Sequence, residues 1–391
     1  MRNKFIPVLS VILILLTMLA CTSSNNDNES LQQTQIAIGI AQTSMAQGEN
    51  QSLTQDAMSL ESTQMAMQAT QTAMAAPQQN EAQPQAATQE PQSAPTAAPV
   101  QAAVPATHFG VAQKWAGGGC DKGCYFADVT GDGKADFIAH DNDGFYVLTS
   151  DGTKFGPEFK NWTGGPGGCD KGCYFADATG DGKADLIAHD NDGIYVLPST
   201  GSSFGQFTNW TGGPGSCDKS CHVADMTGDG KADFVAVDND GVYVLESTGS
   251  SFKAAVKWTG GGCNIACYFA DATGDGIADF IVHDNDGFYV LPSTGSGFGP
   301  HTNWTGGPGG CNIACYFADA TGDGKADYIA HDNDGMYVLP STGSSFGPFS
   351  NWTGGPGGCD KSCHFADVTG DGRVDYIAVD NDGVYVLPAL E

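Results

Sequence analysis

Asp128-Val129-Thr130-Gly131-Asp132-Gly133-Lys134-Ala135-Asp136 decides the fold, because it is written six times. The pattern Asp-x-Thr-Gly-Asp-Gly-x-x-Asp begins again at Asp177, Asp225, Asp271, Asp319 and Asp367, at nearly even spacing. A period of roughly 50 residues belongs to propeller blades, each built from short antiparallel strands. Within one copy, Asp128, Thr130, Asp132 and Asp136 stand at positions 1, 3, 5 and 9. Oxygens two residues apart in a tight loop converge on one cation, Gly133 permits the sharp turn, and the carbonyl of Lys134 at position 7 completes the shell. An all-oxygen donor set is the chemistry of calcium rather than zinc. An acidic hairpin that binds nothing is the alternative; six copies that all keep three Asp and the Thr weigh against it.

Outward from the motif, one repeat reads as a blade. Tyr125-Phe126-Ala127-Asp128 is a short first strand, and Asp136 to His140 a second. Asp141-Asn142-Asp143-Gly144 is a hairpin turn with an Asp-Gly signature. Phe145 to Leu148 is a third strand. Ser150-Asp151-Gly152-Thr153 turns the chain into a fourth that ends near Trp162. No segment carries a helical period. The last repeat stops at Tyr385-Val386-Leu387-Pro388, after its third strand. The first is preceded by His108-Phe109-Gly110-Val111-Ala112-Gln113-Lys114-Trp115, which matches the fourth strand of other repeats, such as Phe204 to Trp210. The strand missing at one end is present at the other. The expected fold is therefore all-β: a six-bladed propeller over 108–391, closed by an N-terminal strand at about 108–115 that completes the last blade and removes exposed sheet edges.

The repeats resemble FG-GAP and VCBS repeats, which include the calcium blades of integrin α-subunits. The resemblance covers the whole repeat array, from 108 to 391. It implies a β-propeller with about six calcium ions, one in the loop joining the first and second strands of each blade. The implied ligands are Asp128, Thr130, Asp132, Lys134 through its carbonyl, and Asp136. In the other repeats they are Asp177, Thr179, Asp181, Lys183 and Asp185; Asp225, Thr227, Asp229, Lys231 and Asp233; Asp271, Thr273, Asp275, Ile277 and Asp279; Asp319, Thr321, Asp323, Lys325 and Asp327; and Asp367, Thr369, Asp371, Arg373 and Asp375. Thr stands at position 3, where integrin motifs usually carry Asp or Asn.

Twelve of the 13 cysteines fall in Cys-x-x-x-Cys pairs, each placed just before a first strand: Cys120/Cys124, Cys169/Cys173, Cys217/Cys221, Cys263/Cys267, Cys311/Cys315 and Cys359/Cys363. The reading is six disulfides that pin each crossover to its blade, as an exported chain predicts. Zinc thiolates and free thiols are the alternatives. Trp115, Trp162, Trp210, Trp258, Trp304 and Trp352 each precede a Gly-rich crossover. They are core residues or, alternatively, sugar-stacking platforms at the blade junctions; some calcium-bearing propeller lectins of related repeat type bind sugars between neighbouring blades. The Asp-Asn-Asp-Gly run reads as a turn, with a second polar-ligand site as the alternative.

A second periodicity lies inside the first. Motifs one and four, two and five, and three and six share the same separation to within a single position. Crossovers into blades one and four are short, whereas the other four carry an inserted proline segment. Blades three and six begin with His222 and His364 where the others have Tyr, and carry Val237 and Val379 where the others have His140, His189, His283 and His331. The ring reads as a duplicated three-blade unit. The joint exchange reads as a Tyr–His pair across the first two strands, and the four histidines as partners of Tyr rather than metal ligands.

The N-terminus is of another kind. Arg2 and Lys4 precede an apolar run, Phe5 to Ala20, which is short for a membrane span and reads as a secretory signal, with an ordinary cleaved signal or an uncleaved anchor helix as the alternatives to a lipoprotein. It ends at Met18-Leu19-Ala20-Cys21, which resembles the lipobox of bacterial lipoproteins. This implies a signal peptide at 1–20, lipidation of Cys21 and an exported protein anchored at the bacterial cell surface or outer envelope. Residues 21–107, rich in Gln, Ala and Pro, read as a stalk spanning on the order of 50 Å as a flexible coil.

Net charge is −29 with only 16 basic residues. That excludes nucleic acid as the expected partner, because phosphate binding needs clustered Lys and Arg. Each blade repeats the same groups, and no unique acid–base pair, Gly-x-Ser-x-Gly or His-Glu-x-x-His occurs, so no enzyme is expected. The expected function is multivalent recognition of an extracellular glycan or protein surface, as a lectin or adhesin, in which repeated weak sites gain by avidity. A structural or partner-binding platform is the alternative, and a glycan-acting enzyme ranks behind both.

Overall fold

A computed structural model describes residues 105–164, 168–211, 217–305, 310–353 and 358–391. The signal sequence, Cys21 and the stalk up to residue 104 lie outside the described residues, as do parts of the four proline-containing crossovers.

The chain folds as an all-β six-bladed propeller of four-stranded antiparallel sheets. In blade one the strands are Gly123–Ala127, Asp136–Asp141, Gly144–Leu148 and Lys160–Asn161. Asp141 pairs with Gly144, so Asn142-Asp143 forms the two-residue hairpin that the Asp-Gly signature predicts. The sixth blade consists of Ser362–Ala366, Asp375–Asp380, Gly383–Leu387 and Gln113–Ala116, the last from the start of the propeller. Gln113 pairs with Val386 and Lys114 with Tyr385. A second seam reinforces the closure: His108 and Phe109 pair with Leu390 and Ala389. Phe109 lies edge-on to Trp352 at 5.1 Å, the place that Phe155 takes against Trp115.

Burial falls into three radial layers. The first strands are half-buried along their whole length; the second strands are buried on both faces. Phe137 and Ala139 face the cluster shared with blade six, while Ile138 faces the cluster shared with blade two. Strand alternation thus sends successive side chains into opposite blade junctions, and each second strand reads as a continuous apolar run. The fourth strands are only two residues long and exposed in blades two, four and five, whereas in blades three and six they run to four residues with a register shift.

Antiparallel order assigns each connection to one of two ends of the blade. The aspartate loops and the turns after the third strands share one end, the loop face. The disulfides, two-residue hairpins and crossovers share the other, the crossover face.

Candidate cation loops and the aromatic rim

Each aspartate loop is organised around its first carboxylate. Gly131 and Gly133 take φ values of 78° and 83°, where a side chain is strained, and so turn successive amides inward. Asp128 Oδ1 accepts from the Gly131 and Asp132 amides at 2.6 and 3.2 Å, and Oδ2 from Gly133 at 2.8 Å. Asp136 is fully buried. Its Oδ1 accepts from the Ser150 amide at 2.9 Å, and its Oδ2 from Val129 and Thr130 at 3.1 Å each. Burial pushes the Asp136, Asp185, Asp233 and Asp327 carboxyls up to about 6 and Asp375 to about 7, against those amide bonds, and raises Asp279 as well.

The loops fit a cation on two counts. A buried carboxylate held near a second one in every blade is what a divalent ion stabilises: the Asp128 charge itself adds to the upward shift of Asp136. The Thr227, Thr273 and Thr321 hydroxyls at position 3 are buried without a hydrogen-bond partner. An orphaned buried oxygen beside these carboxylates has the character of a metal ligand. Sequence reasoning used Lys134 only for its carbonyl. Its ammonium also pairs with Asp132 at 3.1 Å, and Lys183, Lys231 and Lys325 do the same with Asp181, Asp229 and Asp323. Blade four has Ile277 there.

Neighbouring loops are joined to one another. The Ala184 amide donates to the Asp128 carbonyl at 2.8 Å, and Ala135, Ala232, Ala278, Ala326 and Val374 repeat the bond at 2.7–2.9 Å around the ring. Ser150 Oγ donates to the Val368 carbonyl at 2.6 Å, and Ser247, Ser293 and Ser341 bond likewise to the preceding blade.

Of the two tryptophan readings, the structure fits core packing rather than a sugar platform. Trp115, Trp162, Trp210, Trp304 and Trp352 are buried and Trp258 nearly so, and each ring packs edge-on against a phenylalanine of the next blade at 5.1–5.4 Å. The core alternative describes them; their faces are not open for a sugar. The exposed aromatics stand three residues earlier. Phe207 and Phe349 are 65% and 69% exposed. They pack on Tyr195 and Tyr337 at 5.3 and 5.7 Å, as His301 packs on Tyr289 at 5.7 Å. In blades three and six, Lys257 and Lys114 lie over Tyr243 and Tyr385 at 5.5 Å. Every one of these tyrosines, with Tyr146, donates its hydroxyl to an aspartate of the adjacent hairpin at 2.8–3.1 Å. A cleft of about 400 Å³ includes Tyr289, His301, Asp284 and Asp286, walled by Gly261 and Gly262 of the crossover.

The Cys pairs are disulfides in all six blades, with Cα–Cα distances of 5.4–5.6 Å. Their place in the blade is corrected: they do not lie wholly before the first strand. The second cysteine of each pair belongs to that strand. Cys124 pairs with Ala139, Cys267 with Val282 and Cys315 with Ala330 across the ladder. Cys173, Cys221 and Cys363 stand at the same register opposite Ala188, Ala236 and Ala378. Only Cys120, Cys169, Cys217, Cys263, Cys311 and Cys359 remain in the crossover. The strand begins earlier than Tyr125 because its first residue, Gly123, still has a ladder partner in His140, the last apolar-run position of the second strand. Being in the ladder puts these sulfurs against the blade junctions. Cys124 and Cys267 pack on the clusters that hold Val379 and Val237, and Cys315 is buried with its Sγ 3.8 Å from the Tyr328 hydroxyl.

The Asp-Asn-Asp-Gly run is a turn that also clamps the disulfides. Asp141 accepts from the Asp121 amide inside the disulfide loop at 2.9 Å, and Asn142 donates to the Asp121 carboxylate at 2.9 Å. The Tyr–His pairing is corrected in register. His140 stands opposite Gly123 and Tyr125 opposite Ile138, so Tyr and His are diagonal neighbours on one face. The His ring stacks on Phe145 at 4.1 Å and points Nδ1 at Cys173 of the next blade, 3.9 Å away. Val237 and Val379 precede the two short crossovers, so histidine occurs only where the long crossover follows.

Residues 128–188, 177–236, 225–282, 271–330 and 319–378 match the FG-GAP-like repeat. Among solved structures, the chain is similar to an Agrocybe aegerita lectin that specifically recognises non-reducing terminal N-acetylglucosamine. The two are 26% identical over 68% of this chain and 80% of that one, with a TM-score of 0.53. It is also similar to the Tc holotoxin pore of Photorhabdus luminescens, at 17% identity over 72% of this chain and 15% of that one, with a TM-score of 0.54, a likeness of fold alone. No curated protein matches.

Proposed function

Since the chain belongs to the FG-GAP-like repeat family, its matched segments running from 128 to 378, we propose that it is a calcium-stabilised, multivalent glycan-recognition module that works outside the cytoplasm. The observation that carries this reading is the rim: a Tyr–Asp pair on every blade, overlaid by an exposed aromatic ring in blades two, four and five. A sugar presents an apolar face and a ring of hydroxyls. An exposed ring beside carboxylates is the complement, and most of the Phe207 and Phe349 rings stands in water. The likeness to the Agrocybe aegerita lectin supports the same class and makes terminal N-acetylhexosamines the first ligands to test.

The aspartate loops supply calcium sites that hold adjacent blades in register. Asp128, Thr130, Asp132 and Asp136, the Lys134 carbonyl and their five sets of counterparts would hold the ions. The repetition supports recognition rather than turnover, because each blade offers the same groups. Six disulfides fit an oxidising location. Cys21 lipidation and the segment 22–107 would hold the propeller off a membrane, as an adhesin requires.

The test is a glycan array probed with the protein in calcium and again in EDTA. Calcium-dependent binding to a defined terminal sugar, lost in Phe207→Ala/Phe349→Ala, is expected. A blank array from folded, calcium-loaded protein would move the reading to a protein partner or a purely structural platform.

A further inference from the structure

Three histidines at the ends of the second strands, His140, His189 and His331, face the disulfide of the following blade, and the latter two do so with both sulfurs in reach. His189 Nδ1 lies 3.4 Å from Cys221 Sγ. Its pseudo-symmetric copy, His331, lies 3.7 Å from Cys363 Sγ. In each case the imidazole nitrogen and the two sulfurs, Cys217/Cys221 or Cys359/Cys363, all lie within 4.8 Å of one another. Both imidazoles are buried, at 1% and 4% exposure. Val237 and Val379 show that the same strand position packs with an apolar residue, so the fold itself does not call for a ring nitrogen there. The arrangement occurs once in each half of the ring, at the entries to blades three and six, as the duplicated unit requires.

We propose that these two junctions are latent zinc-class metal sites, closed by the disulfide and opened by reduction. Two equivalents of a thiol reductant per junction convert the disulfide to two thiols and are themselves oxidised to a disulfide. A divalent ion then displaces both thiol protons and takes two thiolates and the neutral imidazole through Nδ1, with a fourth position left open. Tetrahedral zinc with Zn–S of about 2.3 Å and Zn–N of about 2.0 Å needs ligand atoms about 3.3–3.8 Å apart. The distances from the two nitrogens to Cys221 and Cys363 already meet that; Cys217 and Cys359 lie within 4.8 Å and are freed to adjust once the disulfide is broken. The donor set is softer than the all-oxygen loops on the opposite face, so the two classes of site select different ions.

The test uses the full chain, calcium-saturated so that the aspartate loops are filled, reduced with a dithiol and freed of it without oxygen, then titrated with Co(II). The expected result is two equivalents per chain giving thiolate-to-cobalt charge transfer and the strong visible band of tetrahedral cobalt; oxidised protein gives neither. His189→Val and His331→Val, which install the residue of blades three and six, each remove one equivalent, while His140→Val and His283→Val leave two. Zero or six equivalents, or two that persist in His189→Val/His331→Val, overturn the proposal, the last because thiols alone would then bind. X-ray absorption of the reduced, zinc-loaded parent gives a second readout that needs no variant. Two sulfurs and one nitrogen support the site, and an all-sulfur or all-oxygen shell overturns it.

Discussion

On the loop face, Asp128 and each of its counterparts gather the amides of their own loop, and the same backbone bond passes to the next blade at all six junctions. On the crossover face the disulfide, the hairpin that clamps it and the Tyr–Asp pair also repeat in every blade, but what surrounds them does not. Crossovers are long or short, the end of the second strand is His or Val, the rim tyrosine is overlaid by Phe, His or Lys, and the disulfide loop changes between Asp-Lys and Asn-Ile. Ile265 and Ile313 in the latter stand 55% exposed. Closing a ring makes the same demand at every junction, so the residues that meet it cannot drift. A binding surface makes no such demand. The contrast puts the uniform demand of ring closure on the loop face and leaves the variable groups on the crossover face, where the proposed recognition surface lies.

The most severe way to break that contrast is Asp136→Ala. It strands the amides of Thr130 and Ser150, whereas Val129 keeps the Ala127 carbonyl at 2.9 Å. At about 1–3 kcal/mol for each unsatisfied group, the loss is at least about 2 kcal/mol, even in EDTA. Asp132→Ala, at an exposed position, should remove calcium from one loop and spare the other five, with little loss in EDTA. Denaturant unfolding with and without calcium separates the two. Equal losses for both variants in EDTA would mean that the loops are cation sites only and not structural. Because the ions bind only the folded ring, calcium should also raise the melting temperature by mass action.

The next largest effect sharpens the contrast within one short segment. Trp210→Ala removes a buried ring packed against Phe252 and should cost about 3–5 kcal/mol. Phe207→Ala, three residues away, should change stability by about 0.5 kcal/mol or less and reduce glycan binding. A Phe207 variant that unfolds would return that ring to the core.

These two positions also show what the sequence can disclose. The period, the blade count, the closing strand and the metal motif are legible because each is a pattern in chain order. Trp and Phe three apart lie on opposite sides of the fourth strand, and only its register says which one faces the junction. The bulkier ring beside the glycines draws the functional reading to the wrong side. The Tyr–Asp rim is hidden because Tyr in Tyr-Val-Leu reads as ordinary strand composition. Cys124, Cys267 and Cys315 read as crossover because the glycine or alanine before each is a weak strand former, and only the ladder to the second strand holds it extended. His189 beside Cys221 is hidden for another reason: the contact joins different blades, 32 residues apart. The covariation of His with crossover length is visible in the sequence, but the Tyr diagonal to it is the nearer partner in chain order.

With the aspartate loops filled by calcium, a pH effect should follow the twofold pattern of the histidines. His222 and His364, on the first strands, hydrogen-bond Ser220 and Ser362 at 2.9 and 2.8 Å, and burial holds their imidazoles down to about 4. Between that value and the ordinary 6.5, the unfolded chain takes up protons that the folded one refuses. The contribution of these two histidines is therefore full above pH 6.5 and falls as the pH drops toward 4, by up to about 1.4 kcal/mol per pH unit for each His. In calcium, His222→Gln/His364→Gln should flatten that slope, as read by urea unfolding between pH 4 and 7. An unchanged slope would place the acid sensitivity in the aspartates instead.

The smallest expected effect tests the one exception on the uniform face. In four loops a lysine ammonium sits on the position-5 aspartate, at 2.7–3.1 Å and half in water. It would compete with a calcium ion for that oxygen. Blade four has Ile277, so Asp275 would meet the ion without an internal cationic rival. Ile277→Lys should weaken one of the six sites by roughly two- to fivefold, since an exposed ion pair contributes about 0.2–1 kcal/mol. Calorimetric titration should show the tightest class of site lost and the total stoichiometry kept. The isoleucine also packs on Gly228 of the preceding loop, where Lys183 packs on Gly131 by its aliphatic stem. The substitution therefore keeps that contact and changes the charge, which ties any change in affinity to electrostatics and not to the packing between blades.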